Sequence, residues 1–223
     1  MMCRLWGRLG RTVAGVALLA ASAGNAMAAD GIAQLRQFVA ATRSAEGDFE
    51  QVVTAKSGRK PQKSGGTFAF ARPGKFRWQY ELPYQQLLVG DGERMWSWDK
   101  DLNQVTVKRI GDALGATPAA ILFGGNDLEQ NFELADGGVA DGLAWVEARP
   151  RKPDSGFENL RLGLADGQLK RMEMRDSFGQ ATAIVFSRLV PNPALDAGRF
   201  RFTPPPGADV IGEEAGDGRS GRR

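Results

Sequence analysis

The stretch that decides the fold is TFAFARPGKFRWQYELP, residues 67–83, in which five of seventeen positions are aromatic. The dipeptide Pro73-Gly74 divides it into two strands joined by a tight turn. Counting by twos along each strand places large rings and one arginine on a single face: Phe68, Phe70, Arg72, Phe76, Trp78 and Tyr80. The sequence therefore predicts a sheet with one aromatic face and a guanidinium group aimed toward that face.

The same period of two continues on both sides of this stretch and predicts about ten or eleven short antiparallel strands. They lie at 49–54, 67–72, 75–80, 86–89, 94–98, 104–109, 131–134, 143–149, 159–164, 169–175 and 181–189, with a last segment at 199–203. Helical spacing of apolar residues predicts a helix over 31–42. A second, short helix is predicted over 117–123, where Thr117 and Pro118 are suited to the first positions. We therefore expect a mainly β protein with helical insertions, built on one strongly curved antiparallel sheet whose concave face the helices cover.

The first 28 residues have the organisation of a secretory signal peptide. Three arginines precede an apolar run at 13–21, and Ala26-Met27-Ala28 fits the A-x-A cleavage pattern. A retained membrane anchor is the alternative, but it would need about 20 apolar residues. Residues 29–211 are expected to form a single domain, and residues 212–223 a flexible tail.

Composition excludes several classes of function. Three of the 29 basic residues and none of the 26 acidic residues precede the predicted cleavage site, so the mature chain has no net charge. No strong attraction to nucleic acid is expected from such a chain. The sequence contains no histidine, and its one cysteine is Cys3. Disulfides, thiol nucleophiles, Ser-His-Asp triads and histidine metal sites are therefore excluded from the mature protein.

The aromatic face has two interpretations. Each ring alone fits an ordinary core, since aromatic side chains on strands usually pack inward. We predict that Trp96 and Trp98 lie on the same side of a neighbouring strand. Together these rings suggest the wall of an apolar cavity, because the polar atoms of indole and phenol groups suit a sealed core poorly. Arg72 is either a rim residue that reaches water or a donor to backbone carbonyl groups at the end of the short helix, near 121–123. In the second case it would latch a helical lid over the cavity.

Several motifs occur in a fixed order along the mature chain. They are F-x-Q at 49–51, R-P-x-x-F-x-W at 72–78, L-V-x-D-G-x-x-x-W at 88–96, Thr-Pro at 117–118 and F-x-F-T-P-P at 200–205. In this order, and behind a signal peptide, they resemble the periplasmic lipoprotein carrier family of Gram-negative bacteria, LolA. The resemblance implies an incomplete β-barrel with an apolar cavity closed by helices, and an arginine at position 72 that holds the lid shut in the empty state.

The resemblance also implies residue roles and partners. We assign the acyl-chain cavity to Phe49, Phe68, Phe70, Phe76, Trp78, Leu88 and Trp96. We assign the lid to Ile121, Leu122 and Phe123. The expected function is that of a monomeric periplasmic carrier without a cofactor or metal. It would take acylated lipoproteins from an inner-membrane ABC-type release complex and hand them to an outer-membrane receptor lipoprotein.

Other functions are weighed against this one. A receptor lipoprotein of the same fold would need a cysteine at the cleavage point, and residues 25–28 contain none. A periplasmic lipid-binding or lipoprotein-sensing protein of the same fold stays open as an alternative. An enzyme is disfavoured because the carboxylates of Asp91, Glu93, Asp99 and Asp101 fall at turns, where such residues serve the backbone. Residues 99–110 resemble a calcium loop only at its start, since Gln104 and Ile110 replace the required glycine and glutamate. A purely structural interaction module is the third class.

Overall fold

A computed structural model describes residues 30–110, 122–123, 128–151 and 157–212 of the chain. The predicted signal peptide, residues 117–121 of the predicted short helix and the tail beyond 212 lie outside the described residues. Among the helices that are described, none is long and apolar enough to cross a membrane.

The first helix, α1 (Gly31–Ala41), agrees with the predicted helix to within one residue. It begins after Asp30, whose side chain accepts a hydrogen bond from the backbone N–H of Ala33 at 3.0 Å and so caps the helix. Its apolar side buries Leu35 and Phe38. The helix packs against four strands of the second half of the sheet. Its first residue is a glycine at a close approach, because a Cβ there would lie 2.9 Å from the carbonyl oxygen of Trp145.

Twelve strands form one open sheet in the order β12-β6-β5-β4-β3-β2-β1-β11-β10-β9-β8-β7. The first six are β1 (Ser44–Thr54), β2 (Gln62–Ala71), β3 (Lys75–Leu82), β4 (Gln86–Asp91), β5 (Arg94–Asp99) and β6 (Gln104–Arg109). A short helix, α2 (Leu128–Asn131), precedes β7 (Phe132–Ala140), β8 (Leu143–Pro150), β9 (Phe157–Ala165), β10 (Gln168–Asp176), β11 (Ala181–Pro191) and β12 (Asp209–Gly212). The predicted class, a mainly β protein built on a single open sheet with few helices, is confirmed; every strand pair is antiparallel except that between β12 and β6.

The C-terminal segment differs from the prediction. Residues 199–203 were expected to form a strand, but Ala197–Phe200 is a short 3-10 helix capped by the Asp196 side chain, which accepts from the N–H of Gly198 at 2.6 Å. Phe200 is buried, Arg201 is exposed and Phe202 is half-buried, so the burial alternates as it would in a strand although the backbone is not one. The twelfth strand, β12, follows and pairs with β6 in parallel. Such a long-range pairing leaves no local pattern in the sequence.

The two faces of the sheet carry separate apolar clusters. The inner face is defined here as the face on which α1, Leu122 and Phe123 pack, and its cluster extends from β5 to β8. The outer face carries a smaller cluster on β4, β5 and β6, against which Phe202 packs. Leu88 belongs to the inner cluster and its neighbour Val89 to the outer cluster, as the alternation of side chains along a strand requires.

Candidate functional site

An aromatic wall lines the inner face on strands β1, β2 and β3. Strand register sets it, because Phe68 lies opposite Trp78 and Phe70 lies opposite Phe76. Phe49 of β1 completes it, with its ring centroid 4.1 Å from that of Trp78. All five side chains are at most 2% exposed. Leu88, opposite Trp78 on β4, continues the wall. Six of the seven side chains assigned to the cavity from the sequence therefore lie together.

Glycine makes room for one ring of this wall. Gly90 lies opposite Phe76 across the β3–β4 pair. A Cβ at position 90 would overlap the edge of the Phe76 ring. The absence of a side chain at position 90 thus leaves room for the Phe76 ring, whose centroid lies 5.0 Å from that of Phe123.

The seventh assigned residue, Trp96, lies on the other side of the sheet. It pairs with Val89 and Val107 and belongs to the outer cluster, where its ring centroid is 5.8 Å from that of Phe202. Trp98 lies on the same outer face, 6.3 Å from Phe202. The prediction that these indoles face the cavity is wrong. Met95 is the β5 residue that contributes to the inner cluster instead.

Phe123 fills the space in front of the aromatic wall. Its side chain is fully buried, and its ring centroid lies 5.0 Å from Phe76, 5.1 Å from Phe70 and 6.2 Å from Trp78. Leu122 is 8% exposed and joins the same cluster. The hollow expected from the sequence is thus occupied by the two predicted lid residues that the structure describes. Ile121, the third, lies outside the described residues.

Arg72 connects the sheet to both elements that cover it. Its Nη2 donates to the carbonyl oxygen of Leu122 at 3.1 Å, which is the contact expected from the sequence. Its Nη1 donates to the carbonyl oxygen of Val39 in α1 at 2.9 Å, a contact that the sequence did not predict. Next to it in the turn, the N–H of Gly74 donates to the carbonyl oxygen of Phe123 at 3.1 Å. One turn between β2 and β3 therefore holds both α1 and the lid residues.

The guanidinium group of Arg72 is half-buried among rings. Its Cζ atom lies 5.3 Å from the centroid of Phe70 and 5.8 Å from that of Phe38, close enough for cation–π attraction. Desolvation by burial lowers the pKa of Arg72 to about 10, so the group stays protonated at neutral pH. The alternative of a rim arginine that points freely into water is therefore wrong.

The sequence analysis missed the part of the inner face that belongs to the second half of the sheet. Its buried side chains come from β9, β10 and β11 and include Leu160, Leu162, Leu164, Met172, Ile184 and Phe186. Phe186 reaches the aromatic wall, with its ring 5.4 Å from that of Phe68. The period of two in β9 and β11 could have identified these residues, but without the register they could not be joined to the rings of the first half.

The carboxylates at turns serve the backbone. Asp91 accepts hydrogen bonds from the N–H groups of Glu93 and Arg94, each at 2.8 Å. Burial acts to raise the pKa of Asp91, but these hydrogen bonds outweigh it and lower the pKa. Asp99 accepts from the N–H of Leu102 at 3.0 Å in the same manner. In the described parts of the chain, no group of three or more acidic or cysteine side chains could hold a metal ion.

Comparison with known proteins identifies relatives along most of the chain. Residues 40–203 match the family model described as outer membrane lipoprotein carrier protein LolA. An outer-membrane lipoprotein carrier protein from Dechloromonas aromatica is 54% identical over 185 residues, which cover 83% of this chain and 89% of that protein. One from Cupriavidus pinatubonensis is 46% identical over 201 residues, covering 89% and 94%. A solved LolA superfamily protein from Nitrosomonas europaea has 9% identity and a TM-score of 0.48, covering 78% of this chain and 99% of that one. The curated relatives are named as carriers and not as enzymes.

Proposed function

Because the chain belongs to the outer-membrane lipoprotein carrier protein family, we propose that it carries lipoproteins by holding their acyl chains against the aromatic wall. In the loaded state the acyl chains replace Leu122 and Phe123. The observation that carries this proposal is the position of Arg72, which hydrogen-bonds both covering elements in front of a wall of rings. Hydrogen bonds from one turn thereby hold the covering residues over a surface that suits hydrocarbon.

The free energy of acyl-chain burial explains why a carrier is needed. Burying one CH₂ group contributes about 0.8 kcal/mol, so a sixteen-carbon chain involves roughly 12 kcal/mol. Several such chains do not leave a bilayer for water on a useful timescale. A carrier must receive them directly and shield most of their length. The aromatic wall provides a surface of this kind.

The covering residues must also be easy to displace. A hydrogen bond from a charged group contributes about 1.5–3 kcal/mol, which is small beside the burial of one acyl chain. Cargo can therefore break the contact between Arg72 and Leu122, because an acyl chain on the wall takes over the apolar contacts that Leu122 and Phe123 make there. When the cargo leaves, the same hydrogen bond and the burial of Phe123 close the inner face again.

The proposed route places the protein in the periplasm. Residues 1–28 serve as a removable signal peptide, and residues 29–211 act as one monomeric domain followed by a short tail. The carrier takes acylated lipoproteins from an inner-membrane ABC-type release complex and delivers them to an outer-membrane receptor lipoprotein. The sequence contains no GxxxxGK[ST] phosphate-binding loop, so the work of extraction is assigned to the release complex.

Mass spectrometry of the protein purified from the periplasm tests this function. We expect a co-purified lipoprotein with its acyl chains intact, and we expect free fatty acid to compete for it only weakly. Recovery of free lipids alone, with no lipoprotein, would favour the alternative of a periplasmic lipid-binding protein of the same fold. Recovery of the protein without any acylated molecule would contradict both.

A further inference from the structure

One polar group inside the aromatic wall lacks a partner. The side chain of Trp78 is 1% exposed, and its indole nitrogen Nε1 makes no hydrogen bond with any described residue. Buried N–H groups are nearly always paired, because leaving one unpaired costs free energy. A phenylalanine at this position would supply a similar apolar surface without that cost. The indole N–H therefore requires an explanation that ring packing alone does not give.

Aromatic rings and one pair of polar side chains surround Trp78 on the inner face. Phe49, Phe68 and Phe123 lie against its faces at centroid distances of 4.1, 5.7 and 6.2 Å. The neighbouring polar groups on the inner face are Tyr80, two residues further along β3, and Gln51 of β1. The Tyr80 hydroxyl donates to the Gln51 side-chain oxygen at 3.1 Å.

The indole N–H is oriented toward this polar pair. Burial raises the pKa of Tyr80, while hydrogen bonding of its hydroxyl with the approaching Trp78 indole N–H and with the Gln51 side chain acts to lower it. The indole and the hydroxyl nevertheless do not complete a hydrogen bond with acceptable geometry. An open donor thus remains at the boundary between the rings and the end of β3.

We propose that the indole N–H of Trp78 donates a hydrogen bond to the carbonyl oxygen at the head of one of the cargo's acyl chains. This inference rests on the proposed function, because it assumes that acyl chains replace Phe123. An acyl chain lying on the wall carries one kind of acceptor, the carbonyl oxygen at its head. With the hydrocarbon against Phe49 and Phe68, that oxygen would meet the open donor near Tyr80. Trp78 would then fix how deep the chains enter and select acyl over alkyl chains.

Two lipids that differ only in their carbonyl groups test this role. Dipalmitoylglycerol has two ester carbonyls, and 1,2-dihexadecylglycerol has the same chain length with ether oxygens. Each lipid displaces an apolar fluorescent probe from the purified protein. We expect the wild-type protein to bind the diacyl lipid about fivefold to tenfold more tightly than the dialkyl lipid, since one hydrogen bond to a neutral group is worth about that factor.

Trp78→Phe should abolish this preference, so that the ratio of the affinities for the diacyl and dialkyl lipids falls to about one, whatever the change in either affinity alone. Trp96→Phe is the matched control, because that indole lies on the outer face and should not affect the preference. A Trp78→Phe protein that still prefers the diacyl lipid, or a wild-type protein without a preference, would overturn the inference and leave the carrier function standing. Failure of both lipids to bind the wild-type protein would overturn the two together.

A second measurement needs no substitution at Trp78. In the ¹⁵N-labelled wild-type protein, the Trp78 indole N–H resonance should move downfield when dipalmitoylglycerol binds and move much less with 1,2-dihexadecylglycerol. Equal shifts with the two lipids would contradict a hydrogen bond to the carbonyl. This measurement keeps the inference testable even if the Trp78→Phe protein does not fold.

Discussion

Replacing Arg72 with leucine should release the lid residues while preserving the fold. Leucine keeps apolar contact with Phe70 and Phe38 but cannot donate to the carbonyl oxygens of Leu122 and Val39. The substitution therefore separates the attachment of the covering elements from the packing of the sheet. The size of each effect follows from the contacts of the guanidinium group.

Two opposing terms set the effect of Arg72→Leu on global stability. Each hydrogen bond from the charged guanidinium contributes about 1.5–3 kcal/mol. Burying the charge lowers the pKa of Arg72 to about 10 and costs on the order of 3 kcal/mol, a cost that leucine avoids. The free energy of unfolding should thus fall by about 0–3 kcal/mol. Arg72→Leu also removes the one hydrogen bond that Arg72 donates to Leu122. Opening of the lid residues should therefore become about 10 to 100 times more frequent.

The amide hydrogen of Gly74 reports this opening directly, because it donates to the carbonyl oxygen of Phe123. Hydrogen exchange measured by NMR should show Gly74 exchanging about 10 to 100 times faster in Arg72→Leu than in the wild-type protein. The amide of Phe49, in the centre of the sheet, should be much less affected. Chemical denaturation gives the global stability of both proteins for comparison.

Arg188→Leu is the matched control for this substitution. Arg188 forms an ion pair with Asp48 at 2.8 Å, and its side chain is 58% exposed, so its removal should change little. Equal exchange of Gly74 in the wild-type and Arg72→Leu proteins would refute the reasoning. Equal acceleration in Arg72→Leu and Arg188→Leu would also refute it, because the effect would then be general destabilisation.

Three further predictions concern the same site. Phe123→Ala should lower the free energy of unfolding, measured by urea denaturation, by about 3–5 kcal/mol. The variant should nevertheless bind an apolar fluorescent probe more tightly, because the aromatic wall is uncovered. An unchanged affinity for the probe would contradict the role of Phe123 as a cover. Gly90→Ala should cost about 1–3 kcal/mol of stability by the same assay, since its Cβ overlaps the Phe76 ring, and a neutral effect would show that the ring can move. Binding of the probe should be constant from pH 6 to 8.5, because the chain has no histidine and Arg72, with a pKa of about 10, stays protonated. Burial favours the neutral form of Arg72, so the hydrogen bonds and cation–π contacts of its charged form should weaken only as the pH rises toward 10. A change in the affinity for the probe below pH 8.5 would show that another group titrates.

The contact between Arg72 and the carbonyl oxygen of Leu122 could be predicted because it depends on the pattern of residues near Arg72 in the sequence. Phe68, Phe70 and Arg72 stand at every second position of one predicted strand, so parity alone puts them on one side. The arginine precedes the turn at Pro73-Gly74, which places it at the end of the sheet where a helix end could meet it. The contact with Val39 was not predictable, because it depends on how α1 lies across the distant strands of the second half.

The position of Trp96 was mispredicted because parity was carried from one strand to the next without the register. Asp91 and Arg94 flank a two-residue turn in which Gly92 has a φ of 108°. With this turn Leu88 pairs with Ser97, so Leu88 and Trp96 cannot share a face. The length of the turn could have revealed this conflict. The pairing of β12 with β6 had no such signal, because it joins segments about a hundred residues apart.

Quenching of tryptophan fluorescence by a brominated acyl chain tests most directly whether cargo lies on the aromatic wall. Two proteins are compared, one retaining only Trp78 and the other only Trp96, with phenylalanine at the remaining tryptophan positions of the mature chain. A lipoprotein with bromine along its acyl chains should quench Trp78 on the inner face and leave Trp96 on the outer face bright. Quenching of Trp96 with Trp78 unaffected would contradict the account, because the cargo would then bind the opposite side of the sheet.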